Sequence, residues 1–499
     1  MRRRTFVGFG ATAVSGVVHA QARPERPHLL MLMADQHRGD CLGVEGHPVV
    51  QTPSLDRLAK EGIRFTGAYS STPSCTPARA GLLTGLSPWN HGMLGYAKVA
   101  RQYPFEKPRA LAAAGYYPAA IGKNHYTPQR NPHGYHQVLL DESGRTENPE
   151  FRSDYRAWFY SQAPSFNPDE TGIGWNDYRG KPYALPERLH PTQWTGDTAV
   201  RFLDTYRRAE PFYLKVSFAR PHSPYDPPER LFGRYRDAAI PKVAAGRWAE
   251  KYRPRSDNSN DIWHGDMGEQ TARQSRAAYY GSVSFIDEQI GRILAALEKR
   301  GWLENTLILY FSDHGDMTGD QHLWRKCYAY EPSARIPFLM RWPRGLVSGQ
   351  RGQVARGPVE LRDVLPTLLD AAQAPTQRRL DGASLLDYVR KQGAGWREWI
   401  DLEHAACYSP RNQWTSLTDA KWKYIYHAYD GEEQLFHLEK DPHELRDLAG
   451  ETAHGNTLRL WRSRMLKHLE VRGEPFVKGG QLATRTMRTV HSPNYPDAA

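Results

Sequence analysis

Four short, nearly continuous apolar runs constrain this chain most: Leu29 to Met33, Tyr116 to Ile121, Phe212 to Phe218 and Leu307 to Phe311. They lack the strict alternation of a strand with one wet face, so they read as strands covered on both sides. Helical patterns separate them. Thr52-Pro53 opens a helix carrying Leu55, Leu58 and Ala59 that ends near Gly62, and residues 279–300 place Val283, Ile286, Ile290, Ile293, Leu294 and Leu297 on one face. A further strand follows at Ile336 to Met340. This order predicts an α/β fold: a large, mostly parallel central sheet flanked by helices. Residues 128–195 and 225–270, rich in Pro, Gly, Asn and Asp, read as long surface loops that shape a cleft. A helix at 359–372 and the turn Leu380-Asp381-Gly382 close this first domain, assigned to 27–390. From about 395 the pattern changes to short strands at 414–417, 422–426 and 434–438 and a last helix through Leu458, Trp461, Met465 and Leu469. That predicts a smaller antiparallel sheet with a helix on it over 395–475, then a flexible tail at 476–499.

The polar residues fall where the strands end. Asp35-Gln36 follow the first run, Lys123 and His125 the second, His222 the third, and Asp313-His314 the fourth. Parallel α/β sheets bind ligands outside the carboxyl ends of their strands, so these residues are expected on one rim. Asp35, Gln36, Asp313 and His314 offer two carboxylates, an amide oxygen and an imidazole for one divalent cation. The oxygen donors favour Ca²⁺ or Mg²⁺, while the imidazole shifts the preference toward Mn²⁺. One more stretch, Ser71 to Gly85, reads as a loop entering a helix, with Pro77 tolerated in the first turn. Cys75 then lies at the helix N-terminus, and Arg79, four residues on, shares its face. Together they suggest an anion pocket with a reactive side chain at its floor.

Composition excludes several classes. No run approaches twenty apolar residues, so no stable membrane anchor is expected. The other cysteines, Cys41, Cys327 and Cys407, are too scattered for a disulfide framework and read as structural. Arg2-Arg3-Arg4, a modest apolar stretch and Ala20-Gln21-Ala22 have the layout of a signal peptide over 1–22, of twin-arginine type, which implies a periplasmic or secreted protein. Its removal takes away three arginines and lowers the formal charge from +11 to +8. Such a basic surface favours anionic partners. No basic run interleaved with aromatics suggests nucleic acid.

The spacing Cys75-x-Pro77-x-Arg79, followed by Ala80-Gly81-Leu82-Leu83-Thr84-Gly85, resembles the motif of the type I sulfatases, members of the alkaline-phosphatase-like superfamily. The resemblance runs from about Leu29 to Pro343, with a weaker tail to about Leu448. It implies that a maturation enzyme oxidises Cys75 to formylglycine, which also ligates the metal, Ca²⁺ being usual in the family. Gln36 and His314 depart from the family's common Asp-Asp and Asp-Asn pairs. By the same resemblance, Lys123 and His125 in Gly-Lys-Asn-His, and Lys326, hold the nucleophile and its sulfate, and His222 contacts the leaving-group oxygen. His91, His322 and Arg325 are further candidates. The implied chemistry is in-line attack on sulfur by the hydrated aldehyde, its pKa lowered by the metal. His222 then acts as general acid, and His125 or a neighbour removes the second hydroxyl proton to expel sulfate. The expected function is hydrolysis of aryl or carbohydrate sulfate monoesters. A phosphonate monoester or phosphodiester hydrolase on the same site is the alternative. In a different class lies a non-catalytic sulfoglycan-binding protein with Cys75 unmodified.

Overall fold

The computed structural model describes residues 26–256, 262–374 and 376–496. The expected signal peptide lies outside these residues. No helix among the described residues is long and apolar enough to cross a membrane.

The central sheet has eight strands: β1 His28–Asp35, β2 Ile63–Phe65, β3 Tyr117–Gly122, β4 Gln137–Leu140, β5 Phe212–Pro221, β6 Thr306–Ser312, β7 Phe338–Arg341 and β8 Gln353–Ala355. Their order is β4-β3-β5-β1-β6-β7-β2-β8. β1, β3, β4, β5 and β6 are parallel, and β7 runs against both of its neighbours. The reason for the unalternating apolar runs is visible in β1. Leu29, Met31 and Met33 enter one core, while Leu30, Leu32 and Ala34 enter another on the opposite face. Helices α1 Pro53–Lys60, α2 Cys75–Thr84, α3 Pro191–Thr205, α4 Glu269–Lys299 and α5 Val364–Ala371 cover the two faces. α2 and α5 contribute to the first core, and α1, α3 and α4 to the second.

A second sheet is antiparallel and follows the chain: β9 Ile400–His404, β10 Trp414–Thr418, β11 Trp422–His427 and β12 Glu433–His437. Its Leu417, Tyr424, Tyr426 and Leu435 pack under Trp461, Met465 and Leu469 of α6, Gly455–Glu470. The opposite face, with Leu402, Trp414, Ile425 and Phe436, packs on Tyr69, Met317 and Tyr328 beside the first sheet. Lys423 crosses that boundary, buried between Glu331 and Glu444 at 2.7 and 2.9 Å.

Three expectations change. The segments read as loops hold β4, the first turn of α3 and two shorter helices, Asp154–Gln162 and Glu229–Arg236. α4 begins at Glu269, ten residues before the expected start at 279, because its first turns bury Ala272, Ser275 and Arg276 and no large apolar side chain. The segment after residue 475 is not a loose tail over its described part. Leu94 N–H donates to Val490 O at 2.8 Å, Ser492 Oγ donates to Trp89 O at 2.6 Å, and the Tyr495 ring reaches the first core. Gly92 admits this approach: it has φ 89°, and a Cβ there would stand 2.3 Å from Tyr495 Cα.

Candidate active site

The ends of four parallel strands meet the N-terminus of α2. β1 ends on Asp35, Lys123 follows β3, His222 follows β5, and Asp313-His314 follow β6. Gly122 sets the direction of Lys123, with φ 92° and no room for a Cβ against Ser217 O; Lys123 N–H donates to that oxygen at 2.8 Å. Cys75 opens α2, a helix buried along its whole length. The second sheet holds the loop before it: Glu403 N–H donates to Ser71 O at 2.8 Å. His404 Nδ1–H is committed to Ala405 O, so its Nε2 accepts from Ser74 Oγ at 2.8 Å.

Asp35, Cys75, Asp313 and His314 each offer a ligand atom, and the four atoms lie within 4.8 Å of one another, all buried. Cys75 Sγ is 3.2 Å from His314 Nε2 and 3.6 Å from Asp35 Oδ1. His314 Nδ1–H donates to Gly315 O at 2.9 Å, which leaves the Nε2 lone pair facing the cluster. That is the tautomer a metal requires. Gln36 reaches the same space from one side. Its Oε1 accepts from Lys326 Nζ at 3.0 Å, and its Nε2 donates to Asp316. The donor set therefore suits a divalent cation.

Three cations surround these groups, but not in the way the spacing suggests. Lys326 Nζ lies 3.2 Å from Cys75 Sγ, and Lys123 Nζ lies 4.0 Å from it while paired with Asp35. Arg79 does not face the anion pocket. Nε donates to Asp313 at 3.0 Å, one terminal nitrogen to Lys123 O and Ser217 Oγ, and the other reaches Asp35 and Asp313, each at 3.0 Å. Its four hydrogen bonds all go to these groups, and it does not line the cavity over Cys75. Arg79 thus holds Asp35 and Asp313 in place.

This arrangement sets the charge states. Burial raises the pKa of Asp35, yet Lys123, His222, Arg79 and Lys326 together hold it well below the usual carboxylate range. Burial and Asp35 push the Cys75 thiol up, but Lys123, Lys326 and His314 outweigh them and bring it to about 7. Burial, then Lys326 and Lys123, hold His222 well below the ordinary imidazole range, while its Nδ1–H is fixed on Ser223 O at 2.7 Å. Burial and Arg145 do the same to His125, whose Nε2 lies 3.3 Å from Tyr96 Oη.

A cavity of about 470 Å³ opens above this cluster. Cys75, Lys123, His125, His222 and Lys326 line its floor, and Tyr96, Trp175 and Tyr408 stand in its wall with Arg145 and Arg325. His91 and His322 are not part of this lining. Two carboxylates went unread in the sequence. Asp316 accepts from Gln36 and Tyr225, and Glu142 accepts the N–H groups of Asn124 and His125, each at 2.8 Å. Asp316 had a signal, since it closes Asp313-His314-Gly315-Asp316. Glu142 follows a four-residue strand with no distinctive pattern.

A donor set compatible with a divalent metal at the carboxyl edge of a mostly parallel sheet, against a helix that begins on Cys75, fits the alkaline-phosphatase-like class of hydrolases. The comparisons narrow this class. The sulfatase family model matches residues 27–374, and that for the C-terminal part of N-sulphoglucosamine sulphohydrolase matches 319–470. The chain belongs to the sulfatase family and is a sulfuric ester hydrolase. An arylsulfatase of Clostridium perfringens is 38% identical over 472 residues, covering 92% of this chain and 97% of its own. A choline-sulfatase of Rhizobium meliloti is 32% identical, covering 85% and 82%. Among solved structures, a phosphonate monoester hydrolase of Agrobacterium radiobacter superposes with a TM-score of 0.75 at 26% identity, covering 92% of this chain and all of its own.

Proposed function

We propose that this chain hydrolyses organic sulfate monoesters, aryl or carbohydrate, with Cys75 converted to formylglycine beside one divalent metal. The observation that carries the reading is the meeting of Cys75 Sγ with three metal-type donors and two lysines in one buried cluster. Asp35, Gln36, Asp313 and His314 would hold the metal together with the side chain at position 75. When bound, it would supply Lewis acidity at the reacting oxygen. The hydrated aldehyde would supply both the nucleophilic hydroxyl and the second hydroxyl whose deprotonation frees the product. Lys123 and Lys326 would bind the sulfuryl oxygens and offset their charge. His222 presents Nε2 to the cavity, where it would protonate the leaving oxygen once an anionic substrate offsets the two lysine charges that suppress its proton affinity. His125 is kept neutral by burial and Arg145, and it would accept a proton once an anionic substrate offsets the neighbouring positive charge. Ca²⁺ or Mg²⁺ fits the carboxylates and Mn²⁺ fits His314. The basic N-terminal leader, residues 1–22, supports export to the periplasm or beyond, after a formylglycine-generating enzyme has acted.

A second reading, hydrolysis of phosphonate monoesters or phosphodiesters, is favoured by the likeness to the phosphonate monoester hydrolase. The binding-protein alternative finds no support in the comparisons, whose named relatives are enzymes. Matched aryl substrates separate the two catalytic readings. The proposal expects the largest kcat/KM for the aryl sulfate. A larger value for the phosphonate or phosphodiester would replace it with the second reading.

A further inference from the structure

The cavity over Cys75 carries a second pair of sulfurs in its wall. Cys327 directly follows Lys326, and Cys407 sits in the connection from β9 to β10. The two thiols are neighbours that influence each other's ionisation. The backbones are tied together as well, since the Asn412 side-chain amide donates to both Cys327 O and Cys407 O at 3.2 Å. Trp414 Nε1 donates to Cys327 O at 2.9 Å, and Cys327 N–H donates to Pro73 O at 3.0 Å. The β9–β10 connection, Trp414 of β10 and the loop before Cys75 thus hold the backbones of the two cysteines close together, although the sulfatase chemistry uses neither.

We propose that Cys327 and Cys407 form an oxidation site, closing a disulfide in the cavity wall that staples the Lys326 segment to the second sheet. The two sulfurs are unequal. Cys407 is half-buried, and the neighbouring Cys327 draws its thiol down. Cys327 is buried, and burial pushes its thiol up. Cys407 is therefore the attacking thiol toward a small disulfide such as oxidised glutathione. Its thiolate displaces one glutathione and leaves a mixed disulfide. The Cys327 thiolate then attacks the Cys407 sulfur and displaces the second glutathione. Each cysteine gives up its proton, and the two electrons pass to the glutathione sulfurs. The loop closed between positions 327 and 407 is long, so the link removes much freedom from the unfolded chain. It also anchors the residue next to the lysine that faces Cys75.

The test uses the full-length protein, incubated with oxidised glutathione, denatured, alkylated and digested with trypsin without reductant. The peptides covering 327–335 and 398–411 should appear joined, lighter than their sum by two hydrogens, while Cys41 is alkylated. The oxidised protein should melt about 5 °C higher than the reduced one, reversibly with dithiothreitol. Cys407→Ser should lose that difference. Alkylation of both cysteines after oxidation, glutathione remaining on Cys407, a link from Cys327 to Cys75, or an unchanged melting difference in Cys407→Ser would each overturn the proposal.

Discussion

At the scale of single residues, the site depends on buried charges that neutralise one another. Arg79 is 1% exposed and holds Asp35 and Asp313, both fully buried. Arg79→Met would leave these carboxylates with one cation fewer. Breaking a buried pair from one side costs about 3–5 kcal/mol, so urea denaturation should show a loss of that size in metal-free protein. A loss below about 1 kcal/mol, as for an exposed pair, would contradict the positioning role. His222 offers a complementary prediction. If its Nε2 carries the proton for the leaving oxygen, His222→Ala should cost about 10²- to 10⁴-fold in kcat for an alkyl sulfate. The loss should be much smaller for a nitrophenyl sulfate, whose phenoxide leaves without help. Equal losses on both would assign His222 to binding instead. The Cys75, Asp35 and Asp313 positions were legible from the sequence because strand ends and a helix start are marked by local patterns. The direction in which Arg79 points was not, because one-turn spacing places two side chains on one face without saying which acceptors lie nearer. Asp35 and Asp313 are 44 residues before it and 234 after it.

At the scale of elements, the central strands were readable because β1, β3, β5 and β6 are buried on both faces and therefore continuously apolar. β4, with four residues, and α3, which opens on Pro191 and mixes Thr and Trp with Gly, carry too little pattern to be read. The turn from β3 into Lys123 shows how an element aims a side chain. Gly122→Ala would meet φ 92° and a Cβ 2.1 Å from Ser217 O. The strain alone is about 1–2 kcal/mol, and the collision adds to it. The expected outcome is a destabilised protein whose remaining folded fraction has at least tenfold lower kcat/KM, since Lys123 is displaced from Asp35. Full activity per folded molecule, checked by circular dichroism and active-site titration, would show that this backbone direction does not matter.

At the scale of the whole molecule, the second sheet is part of the site, because β9 fixes the loop before Cys75 through Glu403 and His404. The sequence announced its strands but not this contact, which joins residues more than 300 positions apart. Stability as a function of pH is also a whole-molecule property. Burial holds His28 and His47 at about 4 and His91 at about 3, against an ordinary value of 6.5. These imidazoles are neutral in the folded state, so the unfolded chain binds protons first. Their contribution is complete above about pH 6.5 and is lost as pH falls toward 4, by about 1.4 kcal/mol per pH unit for each group. Urea midpoints between pH 7 and pH 4.5 should decline accordingly, and His91→Gln should reduce the slope. A slope unchanged by that substitution would remove His91 from the account. The central claim is that turnover belongs to protein in which Cys75 has been converted. Preparations made with varied levels of the maturation enzyme can be divided between peptide mass spectrometry across residues 65–79 and an aryl sulfate assay. Conversion to formylglycine makes that peptide about 18 Da lighter. The expected result is a kcat proportional to the converted fraction, extrapolating to zero when only thiol is present. Substantial turnover in protein whose Cys75 is entirely unmodified would contradict it.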